Sequence, residues 1–206
     1  VPATDQMKQE AMSFYNLDPE RKHIFIVGGS LGSGTLNNAM KKWISEDCPG
    51  GEDIEVIWQC GKYYKPSVDA FMKEAAEKGL GGETLPRITH SDFIKRMDLA
   101  YAAADVVISR SGASSVSELC AAHKAVIFVP SPNVAEDHQT HNAMALVRKD
   151  AAMMVKDGEA VETLMKTACD LIENEERITL MERNISALAL REAAMTIAEE
   201  VYRIVK

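Results

Sequence analysis

Short apolar runs alternate with longer stretches of helical spacing along most of this chain. After a leading histidine, His23-Ile24-Phe25-Ile26-Val27 is continuously apolar, the signature of a strand buried on both faces of a parallel sheet. The runs at 53–59 (Ile54, Val56, Ile57, Trp58), 105–108 and 125–129 read the same way, with shorter strands at 84–89 and 151–155. Between them the spacing predicts helices over 4–16 (Met7, Ala11, Met12, Tyr15), 35–46, 67–78 (closed by Gly79), 115–122 and 138–149, and a short helical pair over 93–104. Everything from Glu159 onward reads as helix, with breaks near Asn174 and Ala187. This β-α alternation predicts an α/β fold, a Rossmann-like doubly wound parallel sheet forming a single domain over 1–206.

The last segment, 187–205, is apolar at Leu188, Leu190, Ala194, Ile197, Ala198, Val201 and Ile204. Two outcomes fit that stripe: a helix packed on its own sheet, or one that covers a partner domain outside this chain.

Composition narrows the function classes. The 206 residues are 46% hydrophobic and 26% charged, values of a chain able to bury a core. A formal charge of −8 argues against a nucleic-acid partner, which needs a basic face. No apolar run reaches the roughly 18 residues of a membrane span, and the N-terminus lacks the pattern of a signal peptide, so the expected compartment is cytoplasmic. Cys48, Cys60, Cys120 and Cys169 are far apart and read as reduced, mostly buried thiols without a zinc or disulfide framework. The chain opens on Val1-Pro2, as an excised piece of something longer would.

Two small-residue turns carry the candidate chemistry. Gly28-Gly29-Ser30-Leu31-Gly32-Ser33-Gly34 ends the first strand and opens a helix, where open α/β sheets bind ligands. It lacks the dinucleotide pattern, and Gln59-Cys60 stands where the second strand would offer a ribose-binding acid, so NAD is disfavoured. Gly29 and Gly34 have P-loop spacing, yet Thr35 replaces the lysine. The segment Gly28-Gly29-Ser30-Leu31-Gly32 also matches a nucleophile elbow, with Asp137 and His138 or His141 following in the order of a hydrolase triad. An anion-binding turn and a turn of packing glycines are the other readings.

The second turn is Ser109-Arg110-Ser111-Gly112-Ala113-Ser114-Ser115-Val116-Ser117-Glu118. Ser115 and Glu118 have the spacing of a capping box; alternatively Glu118 accepts hydrogen bonds from the two vicinal hydroxyls of a ribose. Ser111, Ala113, Ser114 and Ser115 leave room for a phosphate at the helix start. Arg110 could pair with an anionic ligand or form a structural ion pair. Further on, Gln139 and Asn142 lie on one helical face with amides suited to sugar hydroxyls, and Asp137 could serve as an N-cap. His138 and His141 have no partner cluster for a metal site.

Taken together, Gly28-Gly29-Ser30-Leu31-Gly32 with Leu36-Asn37, Arg110-Ser111-Gly112-Ala113 with Val116-Ser117-Glu118, Phe128-Val129-Pro130, His138-Gln139 with Asn142-Ala143, and Ala145-Leu146-Val147 to Ala151-Ala152 resemble the MurG family. Its members are peptidoglycan N-acetylglucosaminyltransferases of the GT-B fold, with two Rossmann-like domains and nearly twice this length. The resemblance spans nearly the whole chain and implies the C-terminal, donor-binding half of such an enzyme. That enzyme moves N-acetylglucosamine from UDP-N-acetylglucosamine to lipid I, giving lipid II, with inversion and no essential metal or other cofactor. It implies that Ser30 and the turn Ala113, Ser114, Ser115, Val116, Ser117 and Glu118 hold the diphosphate region, Glu118 taking the ribose. The Ile94 backbone would meet uracil, and His138, Gln139 and Asn142 would read the sugar.

The family's general base and glycine-rich acceptor loop belong to the N-terminal domain, so no catalytic residue is assigned here. The Asn-Pro-x-Arg segment that precedes this region in the family is not visible. By the same resemblance the final helix returns to the absent domain, and the full-length enzyme works at the inner face of the cytoplasmic membrane, though nothing here looks like an anchor. The expectation is a chain that binds donor but turns nothing over alone. Rivals are another UDP-sugar enzyme such as a 2-epimerase or lipid glycosyltransferase, a serine hydrolase built on Ser30, and a non-catalytic nucleotide-sugar-binding module.

Overall fold

The computed structural model describes residues 2–190 and 193–205. Its centre is a sheet of six parallel strands: β1 (Lys22–Val27), β2 (Ile54–Gln59), β3 (Ile88–Ser91), β4 (Val106–Ser109), β5 (Ala125–Phe128) and β6 (Met153–Met154). The strand order is β3-β2-β1-β4-β5-β6, the doubly wound arrangement that the alternation of elements predicts. Side chains alternate across each strand and build two cores. Ile24, Ile26, Val56, Trp58, Val106, Ile108 and Ile127 pack with α2 (Gly34–Ser45), α3 (Lys65–Lys78) and α7 (Asp157–Ile172) on one face. Phe25, Ile57, Val107, Val126 and Phe128 pack on the other with α1 (Asp5–Tyr15), α4 (Met97–Ala103), α5 (Ala113–Ala122) and α6 (His138–Val147). All four cysteines are buried and unpaired, and burial pushes the Cys48 and Cys169 thiols up to about 12.

Several local expectations change. The stretch 84–89 is not one strand: Gly82–Arg87 is a 3-10 turn, and β3 starts only at Ile88. Gly81 enters that turn left-handed, and Pro86 has no N–H to give a strand ladder. The helical pair over 93–104 reduces to α4 alone. The breaks near Asn174 and Ala187 are both present, bounding α8 (Glu175–Ser186), whose N-cap is the Asn174 side chain accepting from the Arg177 N–H. The last helix, α9 (Ala193–Val205), leaves Met195, Ile197, Val201, Tyr202, Ile204 and Val205 exposed, so its apolar stripe is not packed on this sheet.

At the end of the sheet where β1 begins, Asp105 Oδ2 accepts the His23 N–H at 2.8 Å, and Lys124 donates to the Ala104 carbonyl at 2.7 Å. His23 Nε2 lies 3.3 Å from Glu55 Oε2, but not in hydrogen-bonding alignment. Burial raises the pKa of Asp105, and the His23 side chain and N–H outweigh it, holding the carboxyl below its ordinary value. A carboxylate with a depressed folded pKa stabilises above its unfolded value near 3.9, and that contribution disappears as pH falls through the lower folded value. Its side chain is 41% exposed, and solvent screening holds the term to roughly 1 kcal/mol or less. Asp105→Asn should therefore lower stability at neutral pH and converge with the parent as pH falls through the lowered folded value, in urea titrations.

Candidate functional site

β1 and β4 are neighbours with Val27 opposite Ser109. This is where the strand order reverses, the position at which doubly wound sheets open a crevice. The chain leaves β1 into the glycine turn and α2, and leaves β4 into residues 110–112 and α5. Both turns border one cavity of about 540 Å³, which also takes in Tyr64, Ser131, Asn133 and Gln139. Gly34 and Gly112, at the starts of α2 and α5, are in its wall. The first N–H groups of a helix have no partner within it, so two helix starts bordering one cavity favour an anion there.

The glycine turn is shaped by backbone contact. Gly29 and Gly32 have φ of 84° and 82°. A Cβ on Gly32 would lie 2.2 Å from the Cys60 carbonyl oxygen, and one on Gly61 would lie 2.3 Å from Gly32 Cα. Ser33 caps α2 by accepting the Leu36 N–H, and Ser30 and Leu31 are exposed at the tip.

Arg110 has structural partners. Its guanidinium pairs with Asp157 at 2.5 Å and donates to the Val129 and Pro130 carbonyls and to Ser33 Oγ. Asp157, at the start of α7, also accepts from the Thr35 hydroxyl at 3.1 Å. One carboxylate thus ties both turns to α7, and Thr35, which takes the place of the P-loop lysine, is part of that tie. Side-chain exposures of 15% and 21% make this a partly desolvated pair, and removal of one partner strands the other. Asp157→Ala should cost about 2–4 kcal/mol in chemical denaturation. A loss within 0.5 kcal/mol would mean the network is not holding the turns.

The capping box is not formed. α5 begins at Ala113 with Gly112 as its N-cap, so Ser115 lies inside the first turn and borders the cavity. Glu118 is exposed one turn further along, its Oε2 accepting a long 3.3 Å hydrogen bond from the Tyr101 hydroxyl. Tyr101 is 8% exposed, and burial together with the Glu118 carboxylate pushes its pKa upward. Glu118 borders a second cleft of about 450 Å³, with Met97 and Tyr101. Ser115 and Glu118, three apart on α5, lie on one helix face and link the two openings.

Of the other expected site residues, Ala113, Ser114 and Ser117 are exposed on the first turns of α5, and the Ser117 hydroxyl donates to the Ala113 carbonyl. Val116 is half-buried against the core. Ile94 is 6% exposed in the loop after β3. His138 is exposed at the first position of α6. Gln139 accepts the Ser131 N–H through Oε1 at 2.9 Å, and Asn142 donates to the Ser111 carbonyl at 3.0 Å. The Ser111 hydroxyl donates in turn to the Gln139 carbonyl. These amides lock the start of α6 to the turn after β4. Asp137 stands at the cap position but takes the Thr140 hydroxyl at 2.6 Å instead of a backbone N–H. Glu136 and Asp137 both have positive φ, a strained entry to α6. Among the described residues no three His, Cys, Asp or Glu side chains gather as a metal site, and no helix is long and apolar enough to cross a membrane.

Residues 23–200 match the model of the glycosyltransferase family 28 C-terminal domain. The chain belongs to that family. Its glycine turn, its Ser/Gly turn and the start of α6 all fall within the matched span. The chain is 47% identical to the UDP-N-acetylglucosamine–N-acetylmuramyl-(pentapeptide) pyrophosphoryl-undecaprenol N-acetylglucosamine transferase of Parabacteroides distasonis. That match covers 96% of this chain and 51% of the relative. The same figures hold for the enzyme of that name from Bacteroides thetaiotaomicron. Among solved structures, Acinetobacter baumannii MurG superposes with a TM-score of 0.75 at 25% identity, over 94% of this chain and 53% of that one. The fold is that of one half of a GT-B glycosyltransferase, and the chain spans about half the length of the curated relatives it matches.

In this family 28 domain, two residues bordering the cavity, Tyr64 and Asp157, escape a reading by motif, and the hydrogen-bonding roles of Ser33 and Gln59 are not given by the motifs that contain them. Gln59 is visible in principle as a polar residue after the apolar run Val56-Ile57-Trp58. Asp157 acts on Arg110 across 47 positions of sequence, and no local pattern announces it.

Proposed function

We propose that this chain is the donor-binding half of an inverting N-acetylglucosaminyltransferase that uses UDP-N-acetylglucosamine and makes lipid II from lipid I. The observation that carries the reading is the cavity at the strand-order reversal, bordered by the starts of two helices, with the Glu118 carboxylate one turn further along. Ser30, Ser115 and the N–H groups at Ala113 and Ser114 would take the diphosphate, Glu118 the ribose hydroxyls and the Ile94 backbone the uracil. Val116 and Ser117 complete that turn. His138, Gln139 and Asn142 would meet the sugar, Gln139 through the amide nitrogen not used on Ser131 and Asn142 through its carbonyl. Arg110 serves this site from behind, by holding the two turns.

Cleavage of the donor's glycosidic bond leaves negative charge on UDP, and preoriented N–H groups at helix starts stabilise it without a metal. The general base for the acceptor hydroxyl would come from the other half of the enzyme, as would the lipid I site and the contact with the inner face of the membrane. The exposed apolar stripe of α9 would lie against that half. The serine hydrolase reading gains no support: Asp137, the acid of its triad, bonds Thr140.

Calorimetric titration with UDP, UDP-N-acetylglucosamine and UDP-glucose tests the reading. UDP should bind, and Gln139→Ala should erase the preference among the two sugars while UDP affinity changes less than about threefold. Absence of binding by any uridine nucleotide at millimolar concentration would overturn it.

A further inference from the structure

Gln59 closes β2 after the apolar Val56-Ile57-Trp58, and it is 3% exposed. Its side chain makes three hydrogen bonds. Oε1 accepts the Gly28 N–H at 3.0 Å, and Nε2 donates to the Gly29 carbonyl and to the Asp92 carbonyl, each at 2.9 Å. Only one orientation of the amide satisfies all three, because a flip would set the nitrogen against an N–H and the oxygen against two carbonyls. Gly28 and Gly29 open the turn that borders the large cavity; Asp92 opens the loop that carries Ile94.

We infer that Gln59 is a positioning residue that fixes the glycine turn and the 92–94 loop at one separation, so that a single ligand spans both. The inference rests on the donor-site reading, in which the glycine turn meets the diphosphate and the Ile94 backbone meets uracil. A ligand that bridges two loops gains from their fixed spacing, since the second contact is then made within one complex. Fragments that touch one loop gain nothing from it. Gln59 touches no ligand in this account; its effect is carried through two backbone segments.

The test compares uridine, inorganic pyrophosphate and UDP, titrated into isotopically labelled protein and followed by NMR. Gln59→Glu keeps the shape and the acceptor but sets a carboxylate oxygen against two carbonyls. Gln59→Met removes all three bonds at similar volume. In both variants UDP affinity should fall about tenfold or more, while uridine and pyrophosphate each stay within about twofold of the parent. Thermal melts identify any variant that fails to fold, and the comparison is then read on the other. A parallel loss of all three ligands in a folded variant would overturn the inference and leave Gln59 with a purely structural role, as would unchanged UDP binding. If the parent itself binds neither uridine nor UDP, the donor-site reading fails first.

Discussion

Gly61→Ala should cost this protein about 3–5 kcal/mol, enough to leave a domain of ordinary stability partly unfolded at physiological temperature. Two independent penalties fall on one methyl group. Gly61 has φ of 88°, where an L side chain is strained. Its Cβ would lie 2.3 Å from Gly32 Cα and 2.5 Å from the Leu31 carbonyl oxygen. These are backbone atoms, and no rotamer change relieves the overlap. The loop after β2 and the turn after β1 would have to part, carrying with them the wall of the cavity. Two other glycines separate the penalties. Gly79 shares the positive φ, at 69°, but has open space around its Cβ, so Gly79→Ala should cost only about 1 kcal/mol. Gly158, near the start of α7, has neither constraint, so Gly158→Ala should be neutral or stabilising by a few tenths of a kcal/mol. Urea denaturation of the three variants gives the ranking. A Gly61 variant no worse than the Gly79 one would mean that the two loops do not meet backbone to backbone.

Most strands, β3 excepted, and both turns at the strand-order reversal are legible in the sequence because local physics sets them. Continuous apolar runs such as 24–27 fit a sheet covered on both faces, and glycines after a strand announce a turn that needs positive φ. The resemblance on the two turns and on the start of α6 leads to the family that the comparisons give. Less legible is what each polar residue does there. Ser115 and Glu118 have capping-box spacing, yet the helix starts two residues earlier and the carboxylate turns to Tyr101. Arg110 is open to two readings from sequence, and the choice depends on Asp157, far along the chain. Gln139 and Asn142 have the right chemistry for hydroxyls, but each uses one end of its amide to hold a loop. Local patterns report turns and periodicity; hydrogen bonds between distant segments leave no such trace.

Glu118→Ala should weaken uridine diphosphate binding about a hundredfold while leaving stability nearly unchanged. The side chain is exposed and its hydrogen bond among the described residues is the long one from Tyr101, so truncation should alter stability by no more than about 0.5 kcal/mol. For the ligand the case is different. An ionised carboxylate accepting from both hydroxyls of a ribose makes two charge-assisted bonds, each worth about 1.5–3 kcal/mol. Even at the lower end of that range, losing both gives about 3 kcal/mol, or roughly two orders of magnitude in dissociation constant. The contribution is separable from mere proximity by removing the hydroxyl instead of the carboxylate. The parent should bind 2′-deoxy-UDP about tenfold more weakly than UDP, and Glu118→Ala should bind the two alike, because the hydroxyl has lost its acceptor. Glu118→Gln, which retains one oxygen acceptor, should fall between. If Glu118→Ala still prefers UDP over the deoxy ligand by the parental margin, the ribose is read elsewhere and Glu118 is not its partner. If the preference and the affinity vanish together, the carboxylate one turn past the Ser/Gly turn is what distinguishes a nucleoside diphosphate from pyrophosphate in this site.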